Sequence, residues 1–208
     1  PPQFEAAGRF QEGHAPVRVQ GRWTFINEGA RFLVEPQFDT AGYFQEGLAP
    51  VERKTHIGFI NTRGEMHIDF TYEAARPFQN GRAAIRLLNE WGFINSEGTI
   101  VAETRYDSVA DFSENRAAVK QGGQWGMIDR QGELVAAPRF DAPPLLSEGL
   151  AATRWNGQWG YVNPGGTEHI APRFDWAGPF RNGLARVKIG GKMGYINRSG
   201  AFVWEPTR

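Results

Sequence analysis

Five carboxylates each follow an aromatic ring: Phe38-Asp39, Tyr72-Glu73, Tyr106-Asp107, Phe140-Asp141 and Phe174-Asp175, with Phe4-Glu5 ahead of them. Acids do general acid–base work when two of them face one substrate with different proton affinities. Successive members here stand 34 residues apart. A group that recurs in every copy of a repeat has no single asymmetric constellation to join, so each acid is read as capping a turn into the "AGPF"-type segment behind it. The four histidines are His14, His56, His67 and His169. His67 and His169 share a phase three repeats apart, which in a six-membered ring sets them on opposite sides, too far apart to hold one metal. No H-E-x-x-H, no supported nucleophile–base order and no phosphate loop occurs, and Gly190-Gly191-Lys192 lacks the P-loop spacing. The chain is accordingly read as no enzyme, with no cofactor and no metal.

Binding chemistry remains. Arg18, Glu52, Arg86, Lys120, Arg154 and Lys188 share one phase, and five of the six are cations. In a ring they would surround one face and suit an anionic partner. Glu52 interrupts them and the whole chain is neutral, so the row is read as an ordinary solvent-facing one. Trp155 and Trp176 depart from the repeat. The first stands where other copies hold Val19, Arg53, Leu87, Gln121 and Ile189, the second where they hold Ala6, Thr40, Ala74, Ser108 and Ala142. An indole that the repeat does not require marks a contact with a protein or a sugar. Asymmetry also peaks here, with Leu145-Leu146 in place of the usual aromatic and Pro143-Pro144 stiffening the approach. Trp155 and Trp176, with Arg154 as a polar rim group, are the expected binding residues, both indoles accessible and on one surface. Trp204 shares a phase with Val34 and Ile170 and is read as core or a closure contact. Trp91, Trp125 and Trp159, which recur, are read as packing.

What positions these residues is the repeat itself. The aromatic of "FQEG" stands at Phe10, Phe44, Phe78, Phe112, then Leu146, then Phe180, every step being 34. Asn27, Asn61, Asn95, Asp129, Asn163 and Asn197 keep the same period without insertion or deletion. Each unit reads as a three-stranded meander. Strand one is of the type "LAPVER" (48–53), and pairs such as Gly122-Gly123, Asn156-Gly157 and Gly190-Gly191 supply the positive φ of a tight hairpin. Strand two is of the type "WGFIN" (91–95) and ends in Asn-x-x-Gly, where Asn accepts local backbone bonds and Gly takes the left-handed position. Gly29 is that Gly moved one residue forward, and Asn115 replaces the turn Gly of "EG". Strand three is of the type "GELVAAP" (132–138), stopped by a Pro that cannot donate to a ladder.

The unit resembles the bacterial WG-repeat family, on Trp91-Gly92, Trp125-Gly126 and Trp159-Gly160, the "GYIN"-like segments and the "FxEGLA" and "PxFD" elements. The resemblance spans essentially the whole chain and implies a repeat scaffold without assigned chemistry. Thr24, Ile57 and Met193 depart from it. The fold class is all-β, with residues 1–208 one domain of six repeats. A closed propeller-like ring is favoured over an open β-solenoid, because the last repeat stops where "xFD" is due and residues 1–7 supply that piece.

Composition bounds the partner. Of 208 residues, 23 are Lys or Arg and 23 Asp or Glu, so no net field draws the chain to nucleic acid. No apolar run approaches the ~18 residues that insertion into a bilayer needs. The absence of cysteine excludes disulfides and thiol chemistry. Pro1 in place of Met leaves any targeting segment out of view, and the compartment unassigned, with a periplasmic or secreted one slightly favoured. The reading is a non-catalytic β-repeat scaffold whose partner is another protein, with a carbohydrate- or cell-wall-binding module as the alternative. The oligomeric state is left open.

Overall fold

The computed structural model of the chain describes residues 4–205, and in it every repeat forms its own antiparallel sheet. The sequence reading takes 1–208 as one repeat domain; the chain clusters into two compact units, Pro1–Thr104 and Arg105–Arg208. In the first unit, β1 (Ala6–Ala7), β2 (His14–Val19) and β3 (Arg22–Asn27) form a three-stranded sheet. Four-stranded sheets follow, one of β4 (Thr40–Ala41), β5 (Leu48–Arg53), β6 (His56–Asn61) and β7 (Met66–Tyr72), the next of β8 (Ala74–Ala75), β9 (Arg82–Leu87), β10 (Glu90–Asn95) and β11 (Ile100–Tyr106). β11 carries the chain into the second unit. There the sheets are β12 (Ser108–Val109), β13 (Arg116–Gln121), β14 (Gln124–Asp129) and β15 (Leu134–Phe140); β16 (Leu145–Ser147), β17 (Leu150–Trp155), β18 (Gln158–Val162) and β19 (Glu168–Phe174); and β20 (Trp176–Arg181), β21 (Leu184–Ile189), β22 (Lys192–Asn197) and β23 (Phe202–Trp204).

The expected three strands are thus four in five of the six sheets. The extra strand is the segment behind the acid, pairing for instance Thr40 with Glu52 and Ala41 with Val51. At two or three residues in most copies it is too short for alternation to show in the sequence. Pro1, Pro2 and Gln3 of the expected closing piece lie outside the described residues. Phe4 packs beside Ala15, Val17 and Ile26 of the first repeat, edge-on to Phe32 at 6.4 Å.

Turn chemistry follows the expected backbone logic. Both central residues of the hairpin between strands one and two have positive φ, whether glycines (Gly122, Gly123, Gly190, Gly191) or not (Lys54, Thr55, Leu88, Asn89). Asn61 Oδ1 accepts the amides of Arg63 and Glu65, and Asn163 Oδ1 those of Gly165 and Thr167. Asn115 takes φ 64° in the "EG" turn. Gly29 differs from its reading: the left-handed residue is Ala30, at φ 56°, so the shifted glycine does not carry the turn.

The glycine of Trp-Gly has a separate cause. A Cβ on Gly58, Gly92, Gly126 or Gly160 would lie 2.5–2.6 Å from a carbonyl oxygen of strand three, that of Ile68, Ala102, Ala136 or Ile170. Strand three crosses strand two at a bulge there, with register shifts flanking Met127 and Tyr161. Pro138 and Pro172 sit inside that crossing and the strands run on to Phe140 and Phe174, which corrects the reading of Pro as a strand stop. Both prolines lie on the outer strand of their sheet, where a missing N–H costs least. Repeat one has Thr24 in place of the glycine. Its side chain stands where strand three would press, and its hydroxyl donates to the Val34 carbonyl instead. Only the bridges Trp23–Phe38 and Ile26–Phe32 remain, so this sheet lacks strand three.

Three of the junctions within the units are made by one inserted ring, and between repeats four and five Leu146 takes its place, clustered with Met127. Phe44 seats on Phe25 at 4.9 Å, Phe78 on Phe59 at 5.0 Å and Phe180 on Tyr161 at 4.8 Å, each from the repeat before. A carboxylate locks the turn behind the ring. Glu12 accepts the amides of Glu46 and Gly47, Glu114 those of Glu148 and Gly149, and Glu148 those of Asn182 and Gly183, at 2.6–2.9 Å. Each of those turns is a left-handed pair whose two N–H groups make an anion nest. Phe10, in contrast, is 51% exposed. Truncating a buried Phe costs about 3–5 kcal/mol, so Phe78→Ala and Phe180→Ala should each destabilise the chain by that order in urea titrations. Phe10→Ala should stay within about 0.5 kcal/mol, as surface changes do; equal losses for all three would refute insertion as the joint between repeats.

Candidate functional site

The recurrent acids fold over a neighbouring hairpin, not over the turn behind them. Glu5 accepts the amide of Gly21, Asp39 that of Lys54, Glu73 that of Asn89, Asp107 that of Gly123 and Asp175 that of Gly191. They still serve as turn caps, but the target lies 15 or 16 residues on, because the short fourth strand pairs the acid's segment alongside strand one. Asp141 makes no such bond. The cation row is partly spent on these acids: Arg18 Nε lies 3.6 Å from Glu5 and Arg86 Nε 3.5 Å from Glu73, while Glu52 accepts from the Thr40 hydroxyl at 2.8 Å. His67 Nε2 lies 2.9 Å from the Ser96 carbonyl and His169 Nε2 3.0 Å from the Arg198 carbonyl, the same contact made twice in one phase. Among the described residues no group of three or more His, Asp and Glu comes together to hold a metal.

The two off-repeat indoles line different cavities. Trp155, half-buried at the end of β17, lies edge-on to Phe140 at 5.9 Å, its ring tip against the Gly160 backbone. Asn156, Arg139 and Glu168 line the same hollow of about 400 Å³. Arg139 Nη2 donates to the Gly166 carbonyl at 2.7 Å, and Arg154 Nε to the Gly157 carbonyl at 3.2 Å. Arg154 itself is exposed and faces Trp159 across the ladder.

Trp176, also half-buried, opens β20 and lines a groove of about 440 Å³ in the last sheet with Pro179, Arg181, Leu184, Arg186 and Tyr195. Its ring tip lies 2.8 Å from where a Cβ on Gly178 would stand, so only glycine leaves it room. The Arg186 guanidinium sits 5.5 Å over the indole, while other repeats place Pro or Ala at this phase. No acid lines the groove, which makes it apolar and positively charged. Its floor is held from the preceding repeat: the Tyr161 hydroxyl, buried, donates to the Gly178 carbonyl at 2.8 Å, and burial pushes the phenol's pKa well above its ordinary value. Trp204 corrects the expectation of a core residue. It is 58% exposed on the outer strand β23, stacked on Tyr195 at 5.9 Å. Two features escaped the sequence reading: the Glu ladder, signalled by an acid before the turn Gly in several copies, and Arg186, signalled by its departure from Pro or Ala.

The family model of the WG containing repeat matches six stretches, residues 1–23, 23–54, 57–90, 91–125, 125–158 and 159–192. No curated protein matches the chain. Among solved structures it is similar to a eukaryotic initiation factor, with TM-score 0.55 and 15% identity over 99% of this chain and 68% of that one. It also resembles PorZ of Porphyromonas gingivalis, a bacterial surface component of the type-IX secretion system, with TM-score 0.42 and 11% identity over 99% of this chain. The chain spans only 38% of that protein's length. Kluyveromyces lactis Hsv2p aligns with TM-score 0.48 and 10% identity over 90% of this chain and 72% of that one. At this identity the initiation factor shows a shared fold alone.

Two stability differences follow from the geometry. Asp107→Ala should cost about 0.5–2 kcal/mol, as loss of a side-chain cap does, and Asp141→Ala, which breaks no bond, should be near neutral in the same thermal melts. Tyr161→Phe leaves the Gly178 carbonyl without its donor and should cost about 1–3 kcal/mol. Equal melting of Asp107→Ala and the wild type would remove the capping role.

Proposed function

The chain belongs to the family of the WG containing repeat, and from that premise we propose that it is a non-catalytic scaffold for protein–protein interaction, with the Trp176 groove as its contact surface. Trp155 and Arg154, on the neighbouring sheet, form a second candidate contact. The observation that carries the reading is the groove's make-up: an indole, a tyrosine and a leucine between two guanidinium groups, with no acid among them. Trp176 and Arg186 stand where the other repeats hold small residues or proline. Partially exposed aromatics beside Arg are what interface hot spots are made of. The partner best suited to it is a protein segment with an apolar side chain near a carboxylate.

The alternative, a carbohydrate-binding module, draws on the Trp155 hollow, where an indole is flanked by Asn156 and Glu168. A titration calorimetry series separates the two. With a protein partner, Trp176→Ala should weaken binding about thirtyfold, the equivalent of ~2 kcal/mol. A glycan array that retains the wild type but not Trp155→Ala would move the assignment to the sugar reading. Unchanged partner affinity in Trp176→Ala would exclude the groove as the contact.

A further inference from the structure

Two departures from the repeat that the Trp176 groove leaves unused meet in one place. Glu52 interrupts the row of cations, and Ile57 stands where four other repeats hold Trp; the two face each other across the β5–β6 ladder. Both line a groove of about 310 Å³ between repeats two and three, with Tyr43, Pro50, Ala75 and Pro77. Small residues keep it open. In repeat three the same positions carry bulk: Trp91 stands one period on from Ile57, and the Arg76 guanidinium lies 5.0 Å over that indole. One period before Arg76 is Gly42, where a Cβ would come 2.7 Å from Pro50 Cγ. The groove's charge is that of Glu52. Elsewhere the strand-one cation lies beside the recurrent acid, as Arg18 does with Glu5 and Arg86 with Glu73. In repeat two the matching acid, Asp39, is paired with Arg22 and caps the Lys54 amide. Glu52 is left over: among the described residues it accepts a hydrogen bond from the Thr40 hydroxyl at 2.8 Å and forms no ion pair. No Lys or Arg lines the groove, and the Arg9 guanidinium is taken up 5.3 Å over the Tyr43 ring.

We propose that this groove binds a protein segment presenting a lysine or arginine beside an apolar side chain, the cation on Glu52 and the apolar side chain against Pro50, Ile57 and Pro77. Charge complementarity selects that occupant. A segment bearing an acid meets Glu52 as a like charge, and an uncharged one strips water from the carboxylate and returns no counter-charge. A long cationic side chain suits the shape, because its methylenes lie along the apolar walls while its head stays at the wet rim with Glu52. The walls are preorganised: Pro50 is buried, and proline has no rotamer freedom to lose on contact. The Trp176 groove is read as a site for a carboxylate-bearing segment; this groove takes the opposite charge and does not rest on that reading.

Random peptides displayed on phage test it on the full chain, the library being depleted on Glu52→Lys and then selected on the wild type. Lys is what Lys120 and Lys188 place at this phase, so the substitution restores the repeat. Depletion removes peptides that bind elsewhere, the Trp176 groove included, so failure here and failure of the Trp176 reading are separate results. Survivors should carry Lys or Arg next to an apolar residue. In calorimetry the synthesised survivors should bind Glu52→Lys about tenfold more weakly or worse. Ile57→Trp should weaken them as much, because the indole that four other repeats hold takes up the cavity while Glu52 stays. Trp176→Ala should leave their affinity unchanged. The wild type alone gives a readout that no folding defect can obscure: the amide resonances of Gly42, Val51 and Ile57 should shift on titration with the same peptides. No survivors, survivors without a cation, full affinity in Ile57→Trp, or unmoved resonances at these three amides would each overturn the proposal.

Discussion

A 34-residue meander has one apolar face and cannot bury it alone; within each unit, the apolar side chain that one repeat inserts into the repeat before it solves this. Phe44, Phe78 and Phe180 sit at 4.8–5.0 Å from the ring they cover, in a tilted or edge-on geometry. Everything else in the repeat serves to deliver that ring. The left-handed turn two residues behind it points two amides back at the preceding repeat, and the preceding glutamate answers with both oxygens. The strained backbone of non-glycine residues such as Glu46 and Glu148 is thereby offset by charge-assisted bonds.

The second constraint is the approach of strand three to strand two. Its carbonyl comes so near Gly92, Gly126 and Gly160 that any side chain would push it off. This makes the glycine of Trp-Gly the member of the pair the backbone demands, whereas the indole is one of several side chains that cover the crossing; Ile57 and Met193 stand in for it. Thr24 shows the consequence of breaking the rule: a hydroxyl bond replaces strand pairing and the sheet loses a strand.

Period, strand pairs and turn chemistry were legible in the sequence because each rests on a local rule repeated six times, so that one noisy copy is corrected by the others. The fourth strand was not, since pairs as short as Ala74-Ala75 carry no alternation. Nor was the direction of the acids' bonds. Asp107 is followed closely by turn-like residues, yet the hairpin amide it meets, at Gly123, comes near only once the strands have paired. Of the candidate site, Trp176 was legible as a departure from small residues. That it faces Arg186, and that Tyr161 holds its floor, depends on neighbouring strands and on the repeat before, which no spacing rule contains.

Departures from the repeat differ from consensus positions in one physical respect. A consensus side chain is committed twice, to its own sheet and to the next repeat: Leu150, Tyr161 and Glu148 each face an element 17 to 35 residues on. Such groups have no contact energy left for an outside partner. The last sheet differs because Arg186 and Trp176 fill positions that elsewhere hold small residues or proline. On the proposed reading of the groove as a contact surface, its two guanidinium groups would supply selectivity for a carboxylate and its apolar side chains the affinity.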